Sequence, residues 1–157
     1  MPDEMRPLLA EPMAAEFMRS PTGNRFTIRL DAKQTAGRFS LLEFEQLDYV
    51  ATPLHVHHEV DEGFLVLDGR FDFRSGGERF EAGPSSFVFL PRGIPHEYSL
   101  VGERGRILTF FFPGGTEGYF RDVAELTSKQ RDDATLMAEL AERYGFTLLD
   151  EYDRPRA

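Results

Sequence analysis

Hydrophobic and polar residues alternate along much of the first two thirds of the chain. The stretches 25–30 and 38–44 show this alternation, and the segment between them ends in a glycine. Because successive side chains of a β-strand point to opposite faces, the alternation predicts strands with one buried face. Further short apolar runs occupy 64–67, 70–73, 86–90, 96–101 and 106–112. Short strands at this spacing predict an all-β sandwich or a closed barrel, and the Asp68-Gly69 pair predicts a hairpin turn between two of them.

The hydrophobic period changes in the last third of the chain. Residues 116–128 and 133–144 carry apolar side chains every three or four positions, which is the spacing of a helix with one buried face. Asp132 or Asp133 is placed to cap the second helix, and Gly145 stands where a helix commonly ends. We therefore expect an arm, a barrel and a helical extension that packs on the barrel, over residues 1–15, 16–113 and 114–157.

Composition and charge narrow the class of protein. The 157 residues suffice for one domain, and 15 Phe with 5 Tyr suit an apolar interior. The net charge of −9 disfavours nucleic acid or an anionic membrane as a partner, because both bind clustered Lys and Arg. The absence of Cys excludes disulfides and thiolate ligands. Since no stretch resembles a signal peptide or a membrane span, we expect a cytoplasmic protein.

Three of the four histidines of the chain lie within four positions. On a strand, His55 and His57 project to one face while His58 points away. If the chain turns through residues 60–61, Glu62 opens the next antiparallel strand and lies opposite the histidine pair. Two imidazoles and a carboxylate on one wall form a site for a first-row transition metal. A solvated, charged strand edge is the alternative.

The fourth histidine, His96, directly follows a rigid turn. Residues 91–95 contain two prolines and a glycine, which restrict the backbone and hold the next side chain in place. Such rigidity is what a metal ligand requires. A lone histidine after a surface turn is again the alternative.

Together these two stretches resemble the motifs of the cupin superfamily. The first motif is HxH, three or four residues, Glu, six residues and Gly, and it is matched from His55 to Gly69. The second ends in Pro-x-Gly, two residues and His, and it is matched from Pro91 to His96. Three positions differ from the full motifs. Tyr49 and Ser85 stand where glycines are expected, and Leu100 stands where an asparagine is expected. The resemblance implies a cupin jelly-roll barrel that binds one divalent transition metal (nickel, iron, manganese, cobalt, copper or zinc) through His55, His57, Glu62 and His96.

A closer resemblance, over roughly residues 24–127, is to bacterial single-domain cupins similar to quercetin 2,3-dioxygenase. The segments that carry it are 37–43, 53–69, 87–96 and 111–123. This resemblance implies an enzyme that cleaves a flavonol-like or other enolic aromatic compound with O2. In such an enzyme Glu62 would be the general base as well as a metal ligand. It also implies a homodimer.

We expect an apolar pocket for a small aromatic molecule beside the metal, because ligand sites have mostly apolar walls and a few polar groups. Strand parity predicts that its inward-facing candidates are Phe39, Leu41, Phe64, Val66 and Phe110. Each of these side chains could equally belong to the barrel core. Two other functions stay open: a redox-free metal-dependent cyclase or isomerase of polyketide-like substrates, and a non-catalytic cupin that binds a small molecule.

Overall fold

The computed structural model describes residues 5–12, 17–20, 24–47 and 51–149. Tyr49 and parts of the predicted arm and extension lie outside these ranges. The strands are β1 (Met18–Arg19), β2 (Arg25–Leu30), β3 (Ser40–Leu47), β4 (His55–His57), β5 (Asp61–Ser75), β6 (Glu78–Ala82), β7 (Phe87–Leu90), β8 (His96–Phe112) and β9 (Phe146–Leu148). The helices are α1 (Glu117–Ala124), α2 (Ser128–Arg131) and α3 (Ala134–Arg143). The predicted all-β jelly-roll barrel with short C-terminal helices is confirmed.

The strands are antiparallel and follow the order β1-β2-β3-β8-β4-β9, while β5 pairs with β6, β7 and β8. The predicted strands 96–101 and 106–112 are the two halves of the single strand β8. Its second half pairs with β3 and with the start of β5. Its first half pairs with the end of β5, and His96 pairs with His55 of β4. The two longest strands, β5 and β8, therefore pair with different strands at their two ends.

The predicted hairpin turn at Asp68-Gly69 is wrong, because β5 continues through both residues to Ser75. The register between β5 and β8 shifts on either side of Asp68, which marks a β-bulge. Gly69 has a φ of 80°, and a Cβ added there would lie 2.6 Å from the carbonyl oxygen of Arg104. Like the predicted turn, the bulge needs a glycine because the φ is positive, and the nearby Arg104 carbonyl leaves no room for a side chain.

The barrel interior is a continuous apolar core. Its fully buried members are Phe26, Leu42, Phe64, Val66, Phe71, Phe73, Leu90, Leu100, Ile107 and Phe111. Burying one such side chain stabilises a fold by about 1.5–3 kcal/mol. This core surrounds and supports the polar residues described below.

The C-terminal segment contains the predicted amphipathic helices in shortened form. Asp133 caps α3, since its carboxylate accepts hydrogen bonds from the backbone N–H groups of Thr135 and Leu136. Gly145 follows the end of α3 with a φ of 81°, as a helix-ending glycine should. None of the helices in the described part of the chain has the length and apolarity that a membrane crossing requires.

The strand β9 was not predicted from the sequence. It pairs with β4, where Phe146 lies opposite His57 and Leu148 lies opposite His55. Phe146 also belongs to a C-terminal apolar cluster with residues of α1 and α3. The segment after residue 113 therefore adds a strand to the barrel sheet, and the division into arm, barrel and extension stays a prediction.

Candidate metal centre

Strands β4, β5 and β8 bring four potential metal ligands together inside the barrel. His55 and His57 lie two positions apart on β4 with both rings buried, whereas His58 is exposed. Glu62 lies near the start of β5 and His96 begins β8, and both are buried. One candidate ligand atom from each of the four residues lies within 4.8 Å of the others. The structure therefore brings the four predicted ligands into one cluster.

Glu62 reaches this cluster by a route that differs from the prediction. It does not share a ladder with the histidine pair, because it pairs with Leu90 of β7 and Phe111 of β8. The histidine strand β4 pairs with β8 and β9 instead. The Glu62 side chain therefore meets the histidines across the barrel interior.

The Glu62 carboxylate is the common neighbour of the three imidazoles. Its Oε2 atom lies 3.4 Å from Nε2 of His57 and 4.0 Å from Nε2 of His55. The same oxygen is in contact with Nε2 of His96. All three rings thus present Nε2 to one oxygen.

Two of the rings are oriented by hydrogen bonds on their far side. Nδ1 of His55 lies 2.7 Å from the carbonyl oxygen of Pro53, and Nδ1 of His96 lies 3.3 Å from that of Ile94. Because a carbonyl only accepts, each Nδ1 carries the proton, and each Nε2 is left for a metal when the ring is neutral. Nδ1 of His57 is buried without a hydrogen-bond partner among the residues that the structure describes.

Burial and mutual charge set the protonation of the cluster. Burial, followed by the charge of His96, lowers the pKa of His55 to about 3. Burial also lowers the pKa of His57. Burial opposes ionisation of Glu62, but His57 and His96 outweigh it and lower its pKa to about 2. Burial lowers the pKa of His96, yet Glu62 outweighs it and the net pKa is raised. These shifts favour neutral rings at His55 and His57, an ionised Glu62 and a protonated His96.

These residues fit a divalent transition metal. The three imidazoles turn Nε2 towards Oε2 of Glu62, so four donor atoms converge on one point inside the barrel. A divalent cation held there would balance the charge of the buried carboxylate. Three imidazoles and a carboxylate are also the nitrogen and oxygen donors that such ions accept. The buried group His55, His57, Glu62 and His96 could therefore bind a metal.

A cavity borders three of the four candidate ligands, His55, His57 and Glu62. Its volume is about 60 Å³, which is several times what one water needs. Its aromatic walls are Phe44, Phe64, Phe111, Tyr119, Phe120 and Phe146. Its polar wall residues beyond the cluster include Gln46, Thr52, Tyr98, Thr109 and Thr116. The cavity combines apolar walls with a few polar groups, as small-molecule sites do.

Of the five predicted pocket residues, the structure places Phe64 against this cavity. Val66 is buried in the core without lining the cavity, and Leu41 is buried outside the main core cluster. The rings of Phe39 and Phe110 lie 6.4 Å apart in a half-buried aromatic group that does not border the cavity. For Leu41, strand parity does not identify the inward face, because the first five residues of β3 are all buried.

Most of the cavity wall was not predicted from the sequence, including Tyr98, Gln46 and Phe146. Tyr98 lies two positions after His96 on β8, and strand alternation could have found it. Burial and then the charge of Glu62 raise the pKa of Tyr98, so its hydroxyl stays protonated. Gln46 lies two positions after Phe44 on β3, so the two side chains share a strand face and both border the cavity. Phe146 had no comparable signal, since it belongs to a strand of three residues.

Comparison with known proteins relates this site to a family. Residues 48–112 match the family model described as a cupin domain. The quercetin 2,3-dioxygenase of Bacillus subtilis (strain 168) is 30% identical, and the match covers 62% of this chain and 31% of that protein. The chain thus spans about a third of the length of this curated relative.

Two solved structures give further similarities. The polyketide cyclase RemF from Streptomyces resistomycificus is 30% identical with a TM-score of 0.54, and the match covers 69% of this chain and 79% of RemF. KdgF from Halomonas sp. is 13% identical with a TM-score of 0.64, and the match covers 72% of this chain and 99% of KdgF. At that identity, KdgF shows similarity of fold alone.

Proposed function

The chain belongs to the cupin superfamily, and on this basis we propose that it is a metal-dependent enzyme acting on a small aromatic or enolic substrate. The observation that carries the proposal is the buried group His55, His57, Glu62 and His96 beside a cavity with aromatic walls. All three imidazoles turn Nε2 towards one buried carboxylate oxygen, and this convergence of donor atoms supports a metal at this point.

The residues have separate tasks in this proposal. A divalent metal bound by the four ligands would supply Lewis acidity, which lowers the pKa of a coordinated hydroxyl group. Glu62 is the natural acceptor of the proton that this hydroxyl loses, because its carboxylate lies at the centre of the cluster. The rings of Phe64, Phe111 and Phe146 exclude water and favour a planar apolar substrate.

We propose cleavage of a flavonol-like or other enolic aromatic compound with O2 as the first candidate reaction. The similarity to a quercetin 2,3-dioxygenase and the aromatic cavity walls support it. An O2-independent cyclisation or isomerisation of polyketide-like substrates is the second candidate. RemF supports it, because this polyketide cyclase is equally identical in sequence and is covered over a larger share of its length.

Metal analysis and paired assays test these proposals. Elemental analysis of untagged protein purified without chelator should find about one divalent transition metal per chain. The metal-loaded protein is then incubated with quercetin, 3-hydroxyflavone and linear polyketide analogues, both under air and under nitrogen. Flavonol loss with equal O2 uptake under air, and none under nitrogen, is the expected result.

Other results point elsewhere. Conversion at the same rate under nitrogen would contradict the O2-dependent cleavage and support the O2-independent cyclisation or isomerisation. No conversion with any metal would contradict an enzymatic role and leave a small-molecule-binding cupin. Glu62→Gln is the control variant, because it keeps the shape of the side chain and removes the proton acceptor. It should abolish conversion in either case.

We also propose that the chain forms a homodimer through the outer face of β7 and β8. Phe87 and Phe89 are 56% and 54% exposed, and the rings of Phe87, Phe110 and Phe112 adjoin one another. Exposed apolar patches commonly mark interaction sites, and uncharged rings let two chains of net charge −9 approach. Light scattering should give twice the chain mass, and Phe89→Ser should reduce it. The cytoplasmic location stays a prediction.

A further inference from the structure

The cavity wall contains buried oxygen atoms that no described residue pairs with. They are Oε1 of Gln46, Oγ1 of Thr109 and Oγ1 of Thr116, and none of these residues is more than 4% exposed. None of the three belongs to the candidate metal ligands. Because unpaired buried polar atoms are rare and unfavourable, such atoms in a cavity wall indicate where a ligand forms hydrogen bonds.

Gln46 and Tyr98 together present one donor and one acceptor. Nε2 of Gln46 donates to the Tyr98 hydroxyl oxygen at 3.2 Å, so Tyr98 keeps its own proton for another acceptor. The amide oxygen of Gln46 stays open as an acceptor. If the amide is rotated by half a turn, Tyr98 donates to it, and the open groups become the amide N–H and the phenol oxygen. In both arrangements the pair can bind a hydroxyl group that donates and accepts.

Tyr98 is held firmly close to the candidate ligand His96. Tyr98 follows His96 by two positions on β8, so both face inward with about 6.6 Å between their Cα atoms. The Tyr98 backbone N–H donates to Oγ1 of Thr52 at 2.9 Å, and the Thr52 N–H donates to the Tyr98 carbonyl at 2.8 Å. The Tyr98 ring packs against Phe64 and Phe73 at 5.2 and 5.4 Å between centres.

We propose that Gln46 and Tyr98 form a second recognition point, selecting aromatic ligands with two oxygen groups set on different sides of the ring system. One oxygen reaches the four metal ligands, and the second, a hydroxyl, bonds to Gln46 and Tyr98. Oxygens on neighbouring carbons lie too close together to reach both points. This inference rests on the proposed function, because the first oxygen is the one that a metal would acidify. The proposal narrows the substrate class to aromatic compounds whose two oxygen groups lie on different sides of the ring system.

Binding of four naphthalene compounds to zinc-loaded protein tests the proposal. They are 2-naphthol, 2,3-dihydroxynaphthalene, 2,6-dihydroxynaphthalene and 2,7-dihydroxynaphthalene, and zinc is chosen because it is redox-inert. Dissociation constants from isothermal titration calorimetry should show that the 2,6- or the 2,7-diol binds about 10–100-fold more tightly than 2-naphthol. The 2,3-diol should gain little over 2-naphthol.

Variants assign the preference to the pair. Tyr98→Phe and Gln46→Leu should each bring the affinity for the preferred diol down to that for 2-naphthol in the same variant. Tyr144→Phe is the matched control, because it also removes a hydrogen-bonded hydroxyl, the one that donates to Asp122, away from the cavity. It should keep the preference. Zinc content is measured in every variant, so that loss of metal is not mistaken for loss of recognition.

Three results would overturn the proposal: a diol preference that survives in both variants, no diol preference in the unmodified protein, or no binding of any of the four compounds. The readout is binding, so it does not depend on turnover. An intact diol preference without any conversion of substrate would contradict the proposed reaction and leave the recognition point standing.

Discussion

Phe146 is expected to hold the ring of His57 in the orientation that a metal ligand needs. Nδ1 of His55 and of His96 bond to backbone carbonyls, but Nδ1 of His57 has no partner among the described residues. The His57 ring packs instead against Phe146, with 4.9 Å between ring centres, and the two residues pair across β4 and β9. We therefore predict that Phe146→Ala weakens metal binding as well as the fold.

The size of each effect follows from this packing. Phe146 is 3% exposed, so its truncation should lower the free energy of unfolding by about 3–5 kcal/mol. Loss of a group that orients a metal ligand reduces affinity by about 10–100-fold. Since a bound metal stabilises by RT ln(1 + [L]/Kd), the stabilisation by zinc should shrink by about 1.4–2.7 kcal/mol.

Urea unfolding of the metal-free and zinc-loaded protein, followed by circular dichroism, separates the two effects. Leu140→Ala is the matched control, because Leu140 lies in the same C-terminal cluster but does not line the cavity. It should lower the stability of both forms by about 2–5 kcal/mol and leave the zinc-dependent difference unchanged. If Phe146→Ala also leaves that difference unchanged, the argument about ring orientation is refuted. Phe146→Leu serves if the alanine variant does not fold.

Metal affinity should rise with pH, because Glu62 outweighs burial and raises the pKa of His96, which must lose its proton before it can bind a metal. Calorimetry in buffers of different ionisation enthalpy should record that proton, and zinc occupancy that stays constant down to pH 5 would contradict the ligand set. Glu62→Ala and His57→Ala should each deplete zinc in elemental analysis, and full zinc content in both would exclude the site. Asp133→Ala removes the cap of α3 and should lower stability by about 1 kcal/mol without changing zinc affinity.

The candidate ligands could be predicted from the sequence because their signals are local. Two residues separated by one position share a strand face whatever the neighbouring strands are, so the sequence predicts that His55 and His57 lie together, and both are buried on β4. The cap at Asp133 is local in the same way, since its carboxylate accepts from N–H groups two and three residues ahead. Such signals need no knowledge of the rest of the fold.

Features that depend on distant contacts could not be predicted. A positive φ at Gly69 suits a hairpin turn and a β-bulge equally, and only the partner strand decides between them. The sequence does not decide which of Phe110, Phe111 and Phe112 faces the cavity, because all three are aromatic, and the structure places Phe111 there. Phe146 reaches the cluster only because the chain returns after α3 to pair with β4.

The candidate metal centre joins strands that the sheet does not join directly. In the described part of the chain β4 and β5 share no ladder, so a metal bound to His55, His57 and Glu62 would tie them together. Zinc should therefore stabilise the whole barrel, by about 4 kcal/mol when its free concentration is 1,000 times the Kd. Amide hydrogen exchange should slow together in β4, β5 and β8 when zinc is added. Slowing confined to the connection at 58–60 would show that the metal orders only a loop.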